Sequence, residues 1–263
     1  MDYLQEAIDK AREQRHSTEL QSHQAQPAEP RQAPLDVRKI EYTQTRVATL
    51  DPERLRVQRI IAATEDDTRL EGYRHLRTQI LRKFRENNWR TLAVTSPNSR
   101  AGKTLTALNL AISLSLEVNH TVMLVELDLR NPSILNKLGI ECEYDLIDVV
   151  EGKVEMSQAL INPGFERLVI LPNNGKQKRR SELLSSPQMA ALFHEIVARY
   201  DSRLIIFDLP AVLDDDDALV FAPFADATLL VVEDCVTKRA DIERTRQLLK
   251  GTRLIGTVLN KVG

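Results

Sequence analysis

A lysine, a threonine and three acids carry the chemistry open to this sequence. The segment Ser96-Pro97-Asn98-Ser99-Arg100-Ala101-Gly102-Lys103-Thr104 sits between a short β-branched run and a helical pattern. In that setting the backbone N–H groups at the helix start wrap a polyphosphate, the Lys103 ammonium neutralises β- and γ-phosphate charge, and the Thr104 hydroxyl ligates Mg²⁺. Ser99, Arg100, Ala101, Gly102, Lys103, Thr104 and Leu105 are therefore the candidate nucleotide-binding residues. A bare Gly-Lys-Thr also opens ordinary helices. A strand before it, an amphipathic helix after it and acidic strand ends downstream select the phosphate reading. The loop is poor in glycine. Pro97 stands where G-x-x-x-x-G-K-[ST] has its first glycine, so Arg100 and Ala101 must supply whatever backbone angles the loop needs. Arg100 also adds positive charge near the phosphates.

The acids follow at strand ends. In Val125-Glu126-Leu127-Asp128-Leu129-Arg130, alternation puts Glu126 and Asp128 on one face, aimed past the C-terminal edge. Carboxylates there can hold Mg²⁺ through water and accept a proton from an attacking hydroxyl. Phe207-Asp208-Leu209-Pro210 reads as a Walker B: an apolar strand, then an acid for the metal. Each acid alone is equally a strand-end cap; the order P-loop, acid pair, single acid favours a metal site. The expected catalytic set is Lys103, Glu126, Asp128 and Asp208, with Thr104, Asp128 and Asp208 as metal ligands. Asn260, at the end of the last apolar run, is placed either to read an adenine edge or to lie solvated. Asp214–Asp217 reads as the acidic first turn of a helix, without a catalytic role.

These residues need strands that deliver them to one edge. Apolar runs at Thr91–Thr95, Thr121–Glu126, Arg167–Leu171, Arg203–Asp208, Ala227–Val232 and Leu254–Leu259 read as strands buried on both faces. Helical patterns at Thr104–Leu116, Pro187–Tyr200 and Arg239–Leu249 fall between them, so the fold class is α/β, a mostly parallel sheet flanked by helices. A further helix, Asp67–Glu86, faces Leu70, Tyr73, Leu76, Ile80 and Phe84 inward. Residues 2–15 read as a short amphipathic helix with Leu4, Ile8 and Ala11 on one stripe; too short to hold alone, it docks on something. The domain organisation expected is a helix within 1–16, a Pro/Gln-rich linker over 17–60 and a P-loop domain over 61–263.

Composition narrows the partners. A formal charge of −2 over 263 residues gives no field for nucleic acid. Cys142 and Cys235 lack His or Cys neighbours at ligand spacing, so neither zinc nor a disulfide framework is expected, and a reducing cytoplasmic setting is. No apolar run approaches the ~18 residues of a membrane span.

From Glu71 to the C-terminus the chain resembles the bacterial tyrosine kinases, P-loop autokinases of capsule and exopolysaccharide loci related to the MinD/ParA ATPases, most nearly their exopolysaccharide (PEP-CTERM-locus) branch. The resemblance rests on Thr95-Ser96-Pro97 through Gly102-Lys103-Thr104, Asn109-Leu110-Ala111, Glu126-x-Asp128-x-Arg130 with Pro132, Ser181-Glu182-Leu183-Leu184, Asp208-Leu209-Pro210-Ala211, Asp217-Ala218-Leu219 and Gly256-Thr257-Val258-Leu259-Asn260-Lys261. It implies ATP and Mg²⁺ as cofactors and a tyrosine hydroxyl as acceptor. Glu71-x-x-Arg74-x-x-Arg77 matches the family's E-x-x-R-x-x-R, implied to join copies into a ring; by spacing alone it is a solvated charged stripe. The family further implies a membrane polysaccharide chain-length regulator as partner, which would recruit the chain to the inner face of the membrane. The sequence departs from the family in its Ser-Arg-Ala loop, in Glu126 for the first Asp of D-x-D-x-R, in Ala211 for a proline and in lacking a C-terminal tyrosine cluster; its tyrosines are Tyr3, Tyr42, Tyr73, Tyr144 and Tyr200. The other readings are a MinD/ParA-like ATPase switch, against which Asn98 stands where such proteins carry a second loop lysine, and a catalytically weak scaffold.

Overall fold

The strand runs keep their expected places; all but the last are buried on both sides of the pleat, while Leu254–Asn260, expected to be buried too, lies half-exposed at the sheet edge. The computed structural model describes residues 45–63, 69–175, 183, 186–198 and 203–262. The strands are β1 (Arg46–Val47), β2 (Thr91–Thr95), β3 (Thr121–Glu126), β4 (Ile161–Asn162), β5 (Leu168–Leu171), β6 (Arg203–Asp208), β7 (Ala227–Glu233) and β8 (Leu254–Asn260). Among the described residues they form one sheet in the order β1-β4-β5-β3-β6-β2-β7-β8. All neighbours pair parallel except β4 with β5.

Alternation splits the core across the sheet. Leu92, Val94, Val122, Leu124, Leu204 and Ile206 face one buried layer. Ala93, Met123, Val125, Ile205 and Phe207 face the other. The second layer is completed by α5 (Leu146–Val150), α6 (Met156–Ala159), α7 (Pro187–Ala198) and α8 (Asp217–Phe221), where Phe193 stacks on Phe224. A final helix, α9 (Arg239–Leu248), is mostly exposed and buries Thr245.

The first layer holds the helix that matters most. α3 (Lys103–Ser115) is not the half-exposed amphipathic helix that its pattern suggested: every residue but Leu105 is buried. It lies against the sheet, and α2 (Leu70–Asn87) with a 3₁₀ turn at Ile61–Ala63 covers its outer side. α2 buries Leu70, Ile80, Leu81 and Phe84, while Tyr73 and Leu76 are half-buried. Asn109, fully buried in α3, ties the layers: its Oδ1 accepts from the Ala62 N–H at 2.9 Å, and its amide donates to the Arg59 and Leu105 carbonyls at 3.1 and 3.0 Å.

Two differences from the sequence reading stand out. Within the stretch expected to be linker, 46–47 forms β1 and Pro52–Val57 forms a helix, α1. Asp51 caps α1 through the Glu53 N–H, Pro52 starts it, and Leu55 is its buried anchor. Six residues carry no readable period, and their fold comes from tertiary contact: the Arg54 guanidinium donates to the carbonyl and side-chain oxygen of Asn136 at the end of α4 (Ile134–Leu138). The helix expected at 2–15, the start of α2 before Arg69, and Ser181, Glu182 and Leu184 of the Ser-Glu-Leu-Leu motif lie outside the described residues, as do Tyr3, Tyr42 and Tyr200. No described helix is long and apolar enough to cross a membrane.

Candidate active site

Parallel strands put all their C-terminal ends on one edge, and the register places the acids there together. Glu126 ends β3 directly beside Asp208 at the end of β6, and Asp208 sits opposite Val94 near the end of β2. The chain leaves β2 through Ser96–Gly102 and enters α3 at Lys103, so the α3 N-terminus points its free N–H groups over the same edge. Glu126 and Asp208 continue the α3-facing side of their strands, as alternation from Leu124 and Ile206 requires.

The glycine-poor loop closes with help from outside itself. Arg100 takes φ 66° and Gly102 φ 97°, so the strain expected from the missing glycines falls on Arg100. The Ser96 hydroxyl donates to the Asn98 carbonyl at 2.7 Å, and the Pro97 carbonyl accepts from the Leu213 N–H at 3.0 Å. The Ser99 N–H donates to Asp214 at 2.7 Å, a loop contact for a run to which the sequence gave no site role. Asn260 donates from its side-chain amide to the Ala101 carbonyl at 2.8 Å. That amide, expected to read an adenine edge, therefore braces the loop here. A Cβ on Gly102 would lie 2.0 Å from the Asn260 Nδ2, so the brace also requires glycine at 102.

The four charged groups meet their burial in different ways. Lys103 Nζ donates to Asp128 Oδ2 at 2.6 Å and to the Thr104 hydroxyl at 3.2 Å. Burial alone would lower the Lys103 pKa, but Asp208, Asp128 and Glu126 outweigh it and hold the ammonium charged. Asp128 Oδ1 accepts from the Asn131 N–H at 2.9 Å. Glu126 does not reach into the cavity as expected: Oε1 accepts from the Ser133 and Ile134 N–H groups at 2.6 and 2.8 Å, and Oε2 from the Asn173 N–H at 3.2 Å. Burial nevertheless pushes its pKa up to about 7. Asp208 is fully buried, and neither oxygen has a hydrogen-bond partner among the described residues. Burial pushes its pKa up to about 6 against the pull of Lys103 and the Thr104 hydroxyl.

A cavity of about 650 Å³ opens over this group, within the size range of small-molecule sites. Ser99, Arg100, Gly102, Lys103, Thr104, Leu105 and Asp128 line it as the sequence predicted. Ala101 is buried behind the loop. Its far wall was not foreseen: Asn131 and Ser133 just before α4, Lys137 in the last turn of α4, and Arg130, which pairs with Asp215 at 2.5 Å. A second cavity of about 620 Å³ shares Gly102, Leu105 and Lys261 with the first and runs between β8 and α2, past Tyr73, Leu76 and Val258.

The oligomerisation stripe divides. Arg77 is turned inward, its Nη1 donating to the Ser113 carbonyl at 3.0 Å and its Nε 3.2 Å from Glu117, so it ties α2 to the end of α3. Glu71 and Arg74 remain exposed, 3.7 Å apart on the same helix.

Fold and site together define a P-loop nucleotide-binding domain of the MinD/ParA type. A tyrosine-protein kinase of Bacillus subtilis, YwqD, is 31% identical over 209 residues, covering 78% of this chain and 87% of that protein. The succinoglycan biosynthesis transport protein ExoP of Rhizobium meliloti is 28% identical over 78% of this chain, which spans only 26% of ExoP. Among solved structures, the kinase domain of the Escherichia coli tyrosine kinase ETK superposes with a TM-score of 0.70 at 25% identity, over 76% of this chain and 78% of that one. MinD of Pyrococcus horikoshii, solved with Mg-ADP, shares the fold at a TM-score of 0.57 and 24% identity, over 66% of this chain and 71% of that one. No family model matches the chain. The chain belongs to the bacterial tyrosine-protein kinases.

The Asn260 brace gives a direct test of the loop. Gly102→Ala must displace Asn260 and strain a backbone at φ 97°, so it should weaken nucleotide binding by about tenfold or more while the melting temperature shifts by only a few degrees. Isothermal titration with ATP analogues and thermal melts on the same preparation measure both.

Proposed function

We propose that the domain transfers the γ-phosphoryl group of Mg²⁺·ATP to a tyrosine hydroxyl on a neighbouring copy of the chain, in the service of exopolysaccharide synthesis and export. The observation that carries the reading is Lys103, buried between Asp128 and an unpartnered Asp208 at the start of α3. A buried carboxylate without a donor is costly, and a hard cation on it would remove the cost. Thr104, Asp208 and Asp128 supply the hydroxyl and carboxylate oxygens that Mg²⁺ prefers. A Mg²⁺ ion held by these residues would supply neutralisation of phosphate charge.

The protein's own part is positioning and charge. The α3 N–H groups and the Ser99–Gly102 backbone hold the phosphates, and the second cavity beside Leu105, Tyr73 and Leu76 takes the nucleoside. Lys103 exchanges Asp128 for the β- and γ-phosphate oxygens, so the ion pair at 2.6 Å stands in for the substrate's charge. Asp128, released, accepts the tyrosine proton as the phenolic oxygen bonds to phosphorus. The bond from γ-phosphorus to the β-bridging oxygen breaks, and ADP leaves. Arg130 and Lys137 on the far wall balance charge spreading onto the transferred group.

Self-association rests on Glu71 and Arg74, since Arg77 is already used within the chain. The name of ExoP, a polysaccharide transport protein, supports a membrane polysaccharide chain-length regulator as partner and the inner face of the membrane as the place of action. Cell fractionation with and without that partner tests the recruitment.

Incubation with γ-labelled ATP should give phosphotyrosine, and Lys103→Met should reduce it by about two to three orders of magnitude with the fold intact. Phosphate release without phosphotyrosine would instead mark an ATPase switch, and neither product a scaffold. Arg74→Ala should shift light-scattering mass toward monomer and lower phosphorylation between copies, with ATP affinity retained. The pH dependence follows from Asp208. Its pKa of about 6 lies above the ordinary 3.8, so between those values the folded protein keeps a proton that the unfolded chain has lost, stability falls as pH rises from about 4 to 6 and then levels, and below 6 a metal ion must displace that proton. Metal needs the ionised form, so Mg²⁺·ATP affinity should fall by up to about tenfold per pH unit below 6 and level off above 7. Asp208→Asn should bind weakly and lose that dependence.

A further inference from the structure

Glu126 is the place where this chain leaves the family pattern inside the acid pair, and its surroundings give it a different task. Its carboxylate is fully buried on the α3 side of β3, next to Asp208 in register. Both oxygens are spent on backbone. Oε1 takes the Ser133 and Ile134 N–H groups at 2.6 and 2.8 Å, which are among the free donors at the start of α4. Oε2 takes the Asn173 N–H at 3.2 Å from the turn after β5. That turn is itself held: Pro172 accepts from the Leu146 N–H, and the Asn174 N–H donates to Asp145 at 3.0 Å. Neither Glu126 nor Asp208 lines the cavity, but only Glu126 has its oxygens taken by backbone donors, and the segment it holds supplies Ser133, Lys137 and Asn131 to the cavity wall. The same loop reaches Asp128, because the Asn131 N–H fixes Asp128 Oδ1 at 2.9 Å and so leaves Oδ2 facing Lys103.

We propose that Glu126 is a positioning residue rather than a metal ligand or proton acceptor: by tying the start of α4 and the turn at Asn173 to the end of β3, it sets the loop that aims Asp128 and holds the Lys137 wall. The inference rests on the kinase reading of the site for its activity arm only. The extra methylene of glutamate carries the carboxylate about 1.5 Å further from the strand than aspartate would. An aspartate at 126 would stop short of the 2.6 and 2.8 Å contacts and fall outside hydrogen-bond range of Ser133 and Ile134. A glutamine would keep both short contacts through its carbonyl oxygen and lose only the longer one to Asn173.

The two substitutions therefore separate the roles with opposite signs. For a positioning residue, Glu126→Asp is the damaging change and Glu126→Gln the mild one. For a metal ligand, Glu126→Asp restores the family's own residue and is neutral or beneficial, while Glu126→Gln removes the charge and damages. Amide hydrogen exchange on the nucleotide-free protein should show protection at Ser133 and Ile134 falling about tenfold or more in Glu126→Asp and much less in Glu126→Gln. The Mg²⁺ concentration for half-maximal ATP binding should stay within about twofold of the unmodified protein in both variants. Phosphotyrosine formation should lose about tenfold in kcat with Glu126→Asp, with KM for ATP little changed, and about threefold or less with Glu126→Gln. Retained protection and activity in Glu126→Asp, or a raised Mg²⁺ requirement in Glu126→Gln, overturns the proposal. If the unmodified protein forms no phosphotyrosine, the kinase reading fails by itself, and the exchange and Mg²⁺ measurements still decide the role of Glu126.

Discussion

One ammonium buried among three carboxylates is the constraint around which this domain is arranged. Lys103, Asp128, Glu126 and Asp208 are each less than a tenth exposed, and a buried charge without a partner is among the costliest features a fold can hold. Each acid resolves the problem differently. Asp128 takes the ammonium, Glu126 takes three backbone N–H groups, and Asp208 faces Lys103 and the Thr104 hydroxyl while burial pushes its pKa up to about 6. Two carboxylates adjacent in register thus stand in different surroundings, one bonded to backbone and the other not.

The loop over these charges follows the same logic. A P-loop usually owes its shape to glycines, but here positions 97, 100 and 101 are Pro97, Arg100 and Ala101. Holding Arg100 at φ 66° costs about 1–2 kcal/mol, which contacts outside the loop must offset. Leu213, Asp214 and Asn260 reach it from segments more than 100 residues away in sequence. Two of these follow β6 and one ends β8, so the loop's conformation depends on strands that the sheet must first bring into register. Its shape is a tertiary property more than a local one.

That distinction decides what the sequence could disclose. Strands β2, β3 and β5–β7 were legible because burial on both faces leaves continuous apolar runs, and β8 because its run is equally apolar although it lies half-exposed at the sheet edge. Lys103 and Thr104 stood out by opening a helix after a strand, and Asp128 and Asp208 by following apolar runs. Glu126 was misread. Its oxygens are claimed by Asn173, distant in the chain, and by the start of a five-residue helix that shows no period. The partners of Asn260 and Arg77 were hidden for the same reason: the sequence left Asn260 between an adenine edge and solvent and Arg77 between an interface and solvent, and the fold supplies inward partners in Ala101, Ser113 and Glu117. Asp214 was dismissed as a helix-capping charge, yet it holds the Ser99 N–H. α1 escaped because six residues anchored by Leu55 and Arg54 have no identity apart from the α4 they dock on. The family resemblance supplied what spacing could not, a tyrosine as the acceptor.

The inward turn of Arg77 alters what α2 can do. A helix presents three stripes, and here each has a separate task. Ile80, Leu81 and Phe84 are buried in the core layer shared with α3, Tyr73 and Leu76 line the second cavity, and Glu71 and Arg74 are displayed outward. Arg77 joins these tasks by gripping the Ser113 carbonyl and Glu117, so α2 cannot shift along α3 without breaking a half-buried charged contact. At the other end of α3 lies Lys103. A displacement of α2 would therefore act on the helix that carries Lys103 at its first position. With its third stripe on the second cavity, α2 sets an exposed charged pair and a cavity wall on the same helix.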